Sequence, residues 1–279
     1  MLKVLKNFGI NSNNKVFIIA EIGINHNGDL DLAKKLIDSA KRAGADAVKF
    51  QTYVTEKRVA KDSPIFDILK KCELSFESFK ELKSYSEQLG IEFFSTPFDE
   101  ESLNYLESLN CNLYKIASFD ITNLKFLSRL AKTGKTLIMS VGMSSLDEIK
   151  NAYNILHQNN NKIALLHCIS AYPTKEDDAN LAAVFNLKDN FDCLIGQSDH
   201  TNDIFVPFCA AAAGAQIIEK HYKISSDMEC PDGPVSITED QMSEMVKQIR
   251  RLEKVWGHGR VELTEPQKEI LVYRKISSL

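Results

Sequence analysis

Lys49, in Val48-Lys49-Phe50, and Lys115, in Tyr114-Lys115-Ile116, are ammonium groups set one residue inside apolar neighbours. That setting points both inward, into partly buried ground where a cation needs an anion beside it. Thr96, Ser118, Ser140 and Ser198 stand near the ends of other apolar runs. With the two lysines they would line a cationic, hydroxyl-rich pocket, which is what the phosphate or carboxylate of a small anion requires. The competing reading of either lysine is a snorkelling or ion-paired side chain. No Walker-type loop occurs, which argues against a nucleotide.

His200 and His221 each end an apolar run, and the two runs follow one another in the chain. Two imidazoles that leave coordination positions open suit a catalytic divalent metal holding water or substrate. Hydrogen-bonded structural histidines are the alternative. Glu21 ends the run Val16-Phe17-Ile18-Ile19 and leads into Asn25-His26-Asn27-Gly28. A carboxylate there is costly unless a site needs it, as general acid or base or as partner for a substrate hydroxyl. His26 reads equally as a participant or as a loop-stabilising residue. His167, between Leu166 and Cys168, reads as a satisfied core histidine, and His157 and His258 as surface residues. Asp232, in Cys230-Pro231-Asp232-Gly233-Pro234, is explained by turn chemistry alone; only a place on the active face would raise it to a site residue.

The elements that must position these groups alternate along the chain. Strand-length apolar runs fall at VFIIAEIG, 47–52, 92–97, 113–118, 136–142, 162–170, 193–199 and 216–222, with helical patterns between them. Asp29 is placed to cap the first helix and Gly44 to end it. Tyr53 to Leu74 reads as a looser connection, a helix follows around Phe76 to Leu89, and a last one runs from Glu239 to Trp256. Pro207 sets the helix after the seventh strand beyond it, in Phe208 to Ala213. Near-continuous apolar strands alternating with helices imply a parallel sheet covered by helices. Eight such units in 279 residues match a (β/α)₈ TIM barrel, typically about 250 residues. A doubly wound open sheet competes, but no G-x-G-x-x-G follows any strand.

Each strand is apolar at its start and polar at its C-terminal end. The polar ends hold Glu21; Lys49 and Gln51; Ser95 and Thr96; Lys115 and Ser118, followed by Asp120; Ser140; His167 and Ser170; Ser198, Asp199 and His200; and Glu219, Lys220 and His221. In a barrel these ends converge on the face where such enzymes put their chemistry.

The remaining composition bounds the setting. The chain is 44% hydrophobic, with 34 basic and 38 acidic residues and a net charge of -4, and has no basic block, so nucleic acid is not an expected partner. MLKVLKNFGINSNN lacks the apolar core of a signal peptide, and no run reaches the roughly 18 apolar residues that span a bilayer, so no membrane is expected either. Six scattered cysteines without a C-x-x-C pair suggest free thiols in a reducing compartment, so a cytoplasmic location is expected.

The segments AEIGINHNGD, AGADAVKFQT, FFSTPFD, YKIAS, SVGMSS, LLHCISAYPT, IGQSDHT, IEKHY and CPDGPVS, in this order over nearly the whole chain, resemble the sialic acid (N-acetylneuraminate) synthase family. The resemblance implies a TIM barrel that condenses phosphoenolpyruvate with the aldehyde of an N-acetylated hexosamine, releasing phosphate and forming a nine-carbon keto acid. It implies a divalent cation, usually Mn2+, on His200 and His221. Lys49, Thr96, Lys115, Ser118, Ser140 and Ser198 would hold phosphoenolpyruvate, and Glu21, Gln51, Tyr172 and Asp232 would face the sugar or the reacting carbons, with Glu21 handling a proton.

The sequence also departs from the family. Phe119-Asp120 stands where members often carry Gly-Glu, so Asp120 would contact the sugar with a shorter carboxylate, and Ser170 stands where many carry Asn. A small antifreeze-like domain typically follows the barrel in this family and lends an arginine to the partner subunit's sugar pocket in a swapped homodimer. Here the chain stops at Leu279, so a single catalytic domain over residues 1–279 is expected, that other domain being absent, supplied separately or removed. Three readings compete: a 3-deoxy-sugar-acid phosphate synthase of the same superfamily, a Schiff-base aldolase using Lys49 or Lys115, and a non-catalytic barrel that only binds sugar or phosphoenolpyruvate.

Overall fold

Eight parallel strands close on themselves in chain order, each hydrogen-bonded to the next and the last to the first. This is a computed structural model, and it describes residues 15–158 and 162–275. The opening segment read above for a leader, and the last residues to Leu279, lie outside the described residues.

The strands are β1 (Phe17–Gly23), β2 (Ala47–Thr52), β3 (Glu92–Pro97), β4 (Leu113–Ile116), β5 (Thr136–Ser140), β6 (Ile163–Cys168), β7 (Leu194–Asp199) and β8 (Ile217–His221). The helices are α1 (Leu30–Arg42), α2 (Thr55–Arg58), α3 (Phe66–Cys72), α4 (Phe76–Leu89), α5 (Glu100–Ser108), α6 (Leu124–Ala131), α7 (Leu146–His157), α8 (Ala183–Asn190), α9 (Phe205–Ala212), α10 (Glu239–Trp256) and α11 (Glu265–Lys268). The TIM barrel expected from the strand count is therefore the fold. Among the described residues no helix is long and apolar enough to cross a membrane.

Local chemistry explains the boundaries. Asp29 caps α1 by accepting from the Leu32 amide, and Gly44, at φ +88°, provides the left-handed step that ends it. Ala33, Leu36, Ile37 and Ala40 recur at helical spacing on its buried face. Two expectations need correction. The helix after β7 begins at Phe205, before Pro207, not after it: proline there occupies the first turn, where its missing N–H has no intrahelical partner to lose. The connection from Tyr53 to Leu74 is not loose but carries α2 and α3.

The alternation of strand side chains makes two cores. Phe17, Ile19, Ala47, Phe94, Leu113, Ile138, Ala164, Leu166, Leu194 and Ile217 fill the barrel interior. The intervening residues, such as Ile18, Val48, Tyr114, Leu137, Leu165, Ile195 and Ile218, pack outward against the helices. One step further along the strands the inward positions become polar, and there the site begins.

Candidate active site

Continuing the inward set from Ile19 leads to Glu21, from Ala47 to Lys49 and Gln51, and from Phe94 to Thr96. In the same way Leu113 leads to Lys115, Ile138 to Ser140, Leu166 to Cys168, and Ile217 to Glu219 and His221. These groups line a cavity of about 380 Å³ at the C-terminal mouth, together with Ser118, Tyr172, Ser198, His200, Asp232 and Arg58. The polar strand ends do not all converge, however. Ser95, His167, Asp199 and Lys220 occupy the alternate, outward positions. Ser95 bonds Thr52 at 2.7 Å, His167 Nε2 meets the Ala179 carbonyl at 2.8 Å, and Lys220 donates to Asp199 at 2.6 Å and to the Thr201 carbonyl. Those four anchor the outer layer, and the core reading of His167 holds.

The cavity floor is a network of charges. Lys49 Nζ lies 3.0 Å from Glu21 Oε2 and 3.6 Å from Glu219 Oε1, and donates to Thr96 Oγ1 at 3.3 Å. Lys115 Nζ lies 3.5 Å from Glu219 Oε1 and donates to Ser140 Oγ at 2.6 Å. Ser198 donates to Glu219 at 2.9 Å. All of these side chains are buried, so each charge survives only by its partners. Burial works against the charge of Lys49, but Glu21 and Glu219 outweigh it and hold its pKa above the ordinary lysine value. Burial wins at Lys115, which has Glu219 as its counter-charge and Lys49 opposing it, and its pKa falls. Burial likewise opposes ionisation of Glu219, but the two lysines pull it down to about 2. Both lysines face inward and both are ion-paired, so of the competing reading the snorkelling half falls and the ion-paired half holds.

Beside the floor stand the imidazoles. The His200 and His221 rings are 5.3 Å apart between centroids, and Tyr172 stacks over His200 at 4.1 Å. His200 Nδ1 lies 2.8 Å from the Ile169 carbonyl. A carbonyl only accepts, so Nδ1 carries the proton and Nε2 keeps its lone pair. Burial, reinforced by His221, lowers the His200 pKa to about 3 and keeps the ring neutral. His221 Nδ1 lies 3.2 Å from Asp232 Oδ2, and neither shielded atom makes a hydrogen bond. Burial opposes the His221 charge, but Asp232 and then Glu21 raise its pKa.

Among the described residues no three His, Cys, Asp or Glu side chains form a cluster that could enclose a metal ion. Two imidazoles, one with its lone pair directed by a backbone carbonyl, and a carboxylate atom without a hydrogen bond nevertheless fit a divalent cation whose other positions go to water or substrate.

The NHNG motif after β1 is scaffold. Asn25 donates to the Tyr222 carbonyl and Ser236 Oγ at 2.9 Å each, and accepts from the Asp232 amide at 3.0 Å, which sets Asp232 on the active face. His26 Nδ1 accepts from the Gly28 amide at 3.1 Å, the loop-stabilising role. Gly23, at φ +55°, leaves room for three polar groups: a Cβ there would sit 3.1–3.3 Å from Glu21 Oε1, Gln51 Nε2 and Asp232 Oδ2.

Two expected residues do not reach the cavity wall. Asp120 turns to Asn123 at 3.5 Å, and its exposed neighbour Phe119 lines the mouth in its place. Ser170, half-buried and outside the lining, lies with its hydroxyl 3.8 Å from Cys168 Sγ. Glu219, placed above among the polar strand ends but given no role there, is part of the wall, and so are Cys168 and Arg58, which had not been considered for the site. Counting two residues back from His221 along a strand would have found Glu219, whereas nothing local marks Arg58.

A closed barrel with paired lysines and an open pair of imidazoles at its C-terminal mouth defines a barrel enzyme acting on small anionic substrates. Comparison with known proteins carries the assignment further. The NeuB family model matches residues 36–261, and the chain belongs to that family, the sialic acid synthases anticipated from its motifs. It is 45% identical to an uncharacterized protein of Methanocaldococcus jannaschii over 92% of this chain and 76% of the relative. It is 40% identical to the N,N'-diacetyllegionaminic acid synthase of Campylobacter jejuni, over 94% and 84% respectively. The crystal structure of an N-acetylneuraminic acid synthetase from Leptospira borgpetersenii, in complex with citrate, superposes with a TM-score of 0.91 at 40% identity, covering 94% of this chain and 92% of that one.

Proposed function

We propose that this chain joins carbon three of phosphoenolpyruvate to the aldehyde carbon of an N-acetylated hexosamine, giving a nine-carbon keto acid and free phosphate. The observation that carries the reading is the meeting, in one mouth, of a buried lysine pair with two imidazoles and a carboxylate. Relatives named as synthases of diacetylated and N-acetylated nonulosonic acids support an N-acylated sugar.

In this reading Lys49 and Lys115, with Thr96, Ser118, Ser140 and Ser198, receive the phosphate and carboxylate of phosphoenolpyruvate. Lys115, the less compensated ammonium, gains the most from an arriving anion. His200 and His221, with Asp232 beside them, would hold a divalent cation, Mn2+ being the expected ion, which when bound polarises the sugar aldehyde. Glu21, bonded to Gln51 and paired with Lys49, orients the reacting end of the sugar and carries a proton. Carbon three attacks the aldehyde, and water adds at carbon two of phosphoenolpyruvate. The tetrahedral adduct expels phosphate as the carbon–oxygen bond breaks, leaving the ketone. Of the two protons of the water, one ends on the new hydroxyl and the other on phosphate. Six free thiols support a reducing, cytoplasmic setting.

The test is phosphate release from phosphoenolpyruvate with Mn2+, screened across N-acetylmannosamine, a diacetylated bacillosamine-derived sugar and a pseudaminic acid precursor. Release only when one of them is present is expected. Release with arabinose 5-phosphate instead transfers the assignment to a 3-deoxy-sugar-acid phosphate synthase. A covalent adduct trapped by borohydride makes it a Schiff-base aldolase, and tight binding of both substrates without release makes it a binding barrel.

A further inference from the structure

An amide beside a carboxylate helps only one way round. Presented by its N–H it donates; presented by its carbonyl oxygen it repels. Gln51 Nε2 lies 3.2 Å from Glu21 Oε1, and what fixes that orientation is Arg58, at the C-terminal end of α2. Arg58 Nη1 donates to Gln51 Oε1 at 3.0 Å. A guanidinium has no acceptor to offer, so the Gln51 oxygen must face Arg58 and its nitrogen must face Glu21. Lys49 contacts the other oxygen of Glu21 at 3.0 Å. Both carboxylate oxygens therefore face donors only while the amide keeps this orientation.

Arg58 is itself held in place. Its guanidinium carbon lies 3.7 Å from the centre of the Phe98 ring and 4.6 Å from that of Tyr53. The two rings meet edge to face at 6.4 Å, and Tyr53 donates its hydroxyl to the Leu69 carbonyl at 2.9 Å. Tyr53, Leu69, Ile24 and Cys72 form an apolar cluster against which Phe98 packs. A freely solvated surface arginine would not be bracketed by two rings and bonded to a residue of the site.

We propose that Arg58 is a positioning residue: clamped between Tyr53 and Phe98, it fixes the Gln51 amide so that the N–H, not the carbonyl, meets Glu21. The role rests on the reaction proposed above, in which Glu21 and Gln51 serve the sugar.

The side-chain amide resonances of Gln51, assigned in 15N-labelled protein by their loss in Gln51→Met, report the orientation without turnover. Two resolved, exchange-protected protons are expected in the wild type. They should merge with the solvent-exposed glutamines in Arg58→Met, and stay resolved in Arg58→Lys, whose ammonium also only donates. Phe98→Leu keeps the arginine and loosens the clamp, and should broaden them. Unchanged Gln51 resonances in Arg58→Met and Phe98→Leu overturn the proposal.

In steady-state assays Arg58→Met should lower kcat/KM for the sugar about tenfold, the order of one hydrogen bond to a charged group, with KM for phosphoenolpyruvate unchanged. On a Gln51→Met background, with no amide to orient, the same change should cost less than about twofold. An equal cost in both backgrounds makes Arg58 a brace for the loop and overturns the proposal. A wild type that releases no phosphate with any N-acetylhexosamine ends the proposed function, while the amide resonances still decide the role of Arg58.

Discussion

Glu219 is the anion shared by the two floor lysines, and Glu219→Gln removes its charge while keeping its shape. Its Oε1 lies 3.6 Å from Lys49 Nζ and 3.5 Å from Lys115 Nζ, all three side chains being buried. The variant leaves two ammonium groups with Glu21 as the nearby carboxylate. Breaking a buried ion pair by removing one partner costs about 3–5 kcal/mol, against a total stability of about 5–15 kcal/mol. Lys115, whose pKa burial already lowers, can shed its proton, so the lower end of about 3 kcal/mol applies. In a chain of this size that is a fall in Tm of about 6–12 °C.

The assay is a thermal melt at pH 7 with and without inorganic phosphate. Saturating phosphate contributes about 2.7 kcal/mol at a hundred times its Kd, and in the variant the arriving anion also replaces the counter-charge that Lys49 and Lys115 have lost, so the variant should gain more from it than the wild type. The pH dependence has a definite sign. The folded pKa of Glu219, about 2, lies below its ordinary 4.5, so its contribution is complete above about pH 4.5 and is lost as pH falls through 2. The folded pKa of Lys115 lies below 10.5, so the folded variant binds fewer protons than the unfolded chain, and its deficit narrows as pH rises toward 10.5. A variant melting within about 2 °C of the wild type, with no larger gain from phosphate, would refute the idea that the floor is organised around shared charge.

Three further outcomes are expected. His200→Ala and His221→Ala should each abolish the rise in Tm that Mn2+ gives the wild type while leaving the phosphate-induced rise; unfolding of both variants would assign the two rings a structural role. Lys220→Met breaks the outward pair with Asp199, and urea unfolding should show a loss of about 3–5 kcal/mol with phosphate binding in the mouth preserved. Pro207→Ala should change stability by less than about 1 kcal/mol, since proline in a first turn forfeits no hydrogen bond, and a larger loss would contradict that placement.

The barrel was legible because each strand is a buried apolar run and its neighbours in the chain are its neighbours in space. The inward lysines and the two imidazoles were legible for the same reason, as polar residues interrupting such runs. What blurred the site was parity. Glu219, Lys220 and His221 are three polar residues in a row, and only the two-residue period separates the pair facing the mouth from the one packed outward against Asp199. Asp232 owes its place to Asn25, some two hundred positions earlier in the chain, a link that turn chemistry does not reveal. Arg58 was invisible because its bracket combines Tyr53 and Phe98, which flank different strands and meet only in the folded chain.

The stretch from Tyr53 to Leu74, with its two short helices, supplies Arg58, Ile65, Ile68 and Leu69 to the outer cavity, whereas Lys49 and Lys115 rise from the strands beneath. The apolar upper wall and the charged floor thereby sit on different pieces of polypeptide, joined through the hydrogen bond from Arg58 to Gln51. Exchanging that one stretch would reshape the upper wall of the mouth while leaving the floor of Lys49, Glu219 and Lys115 as it is.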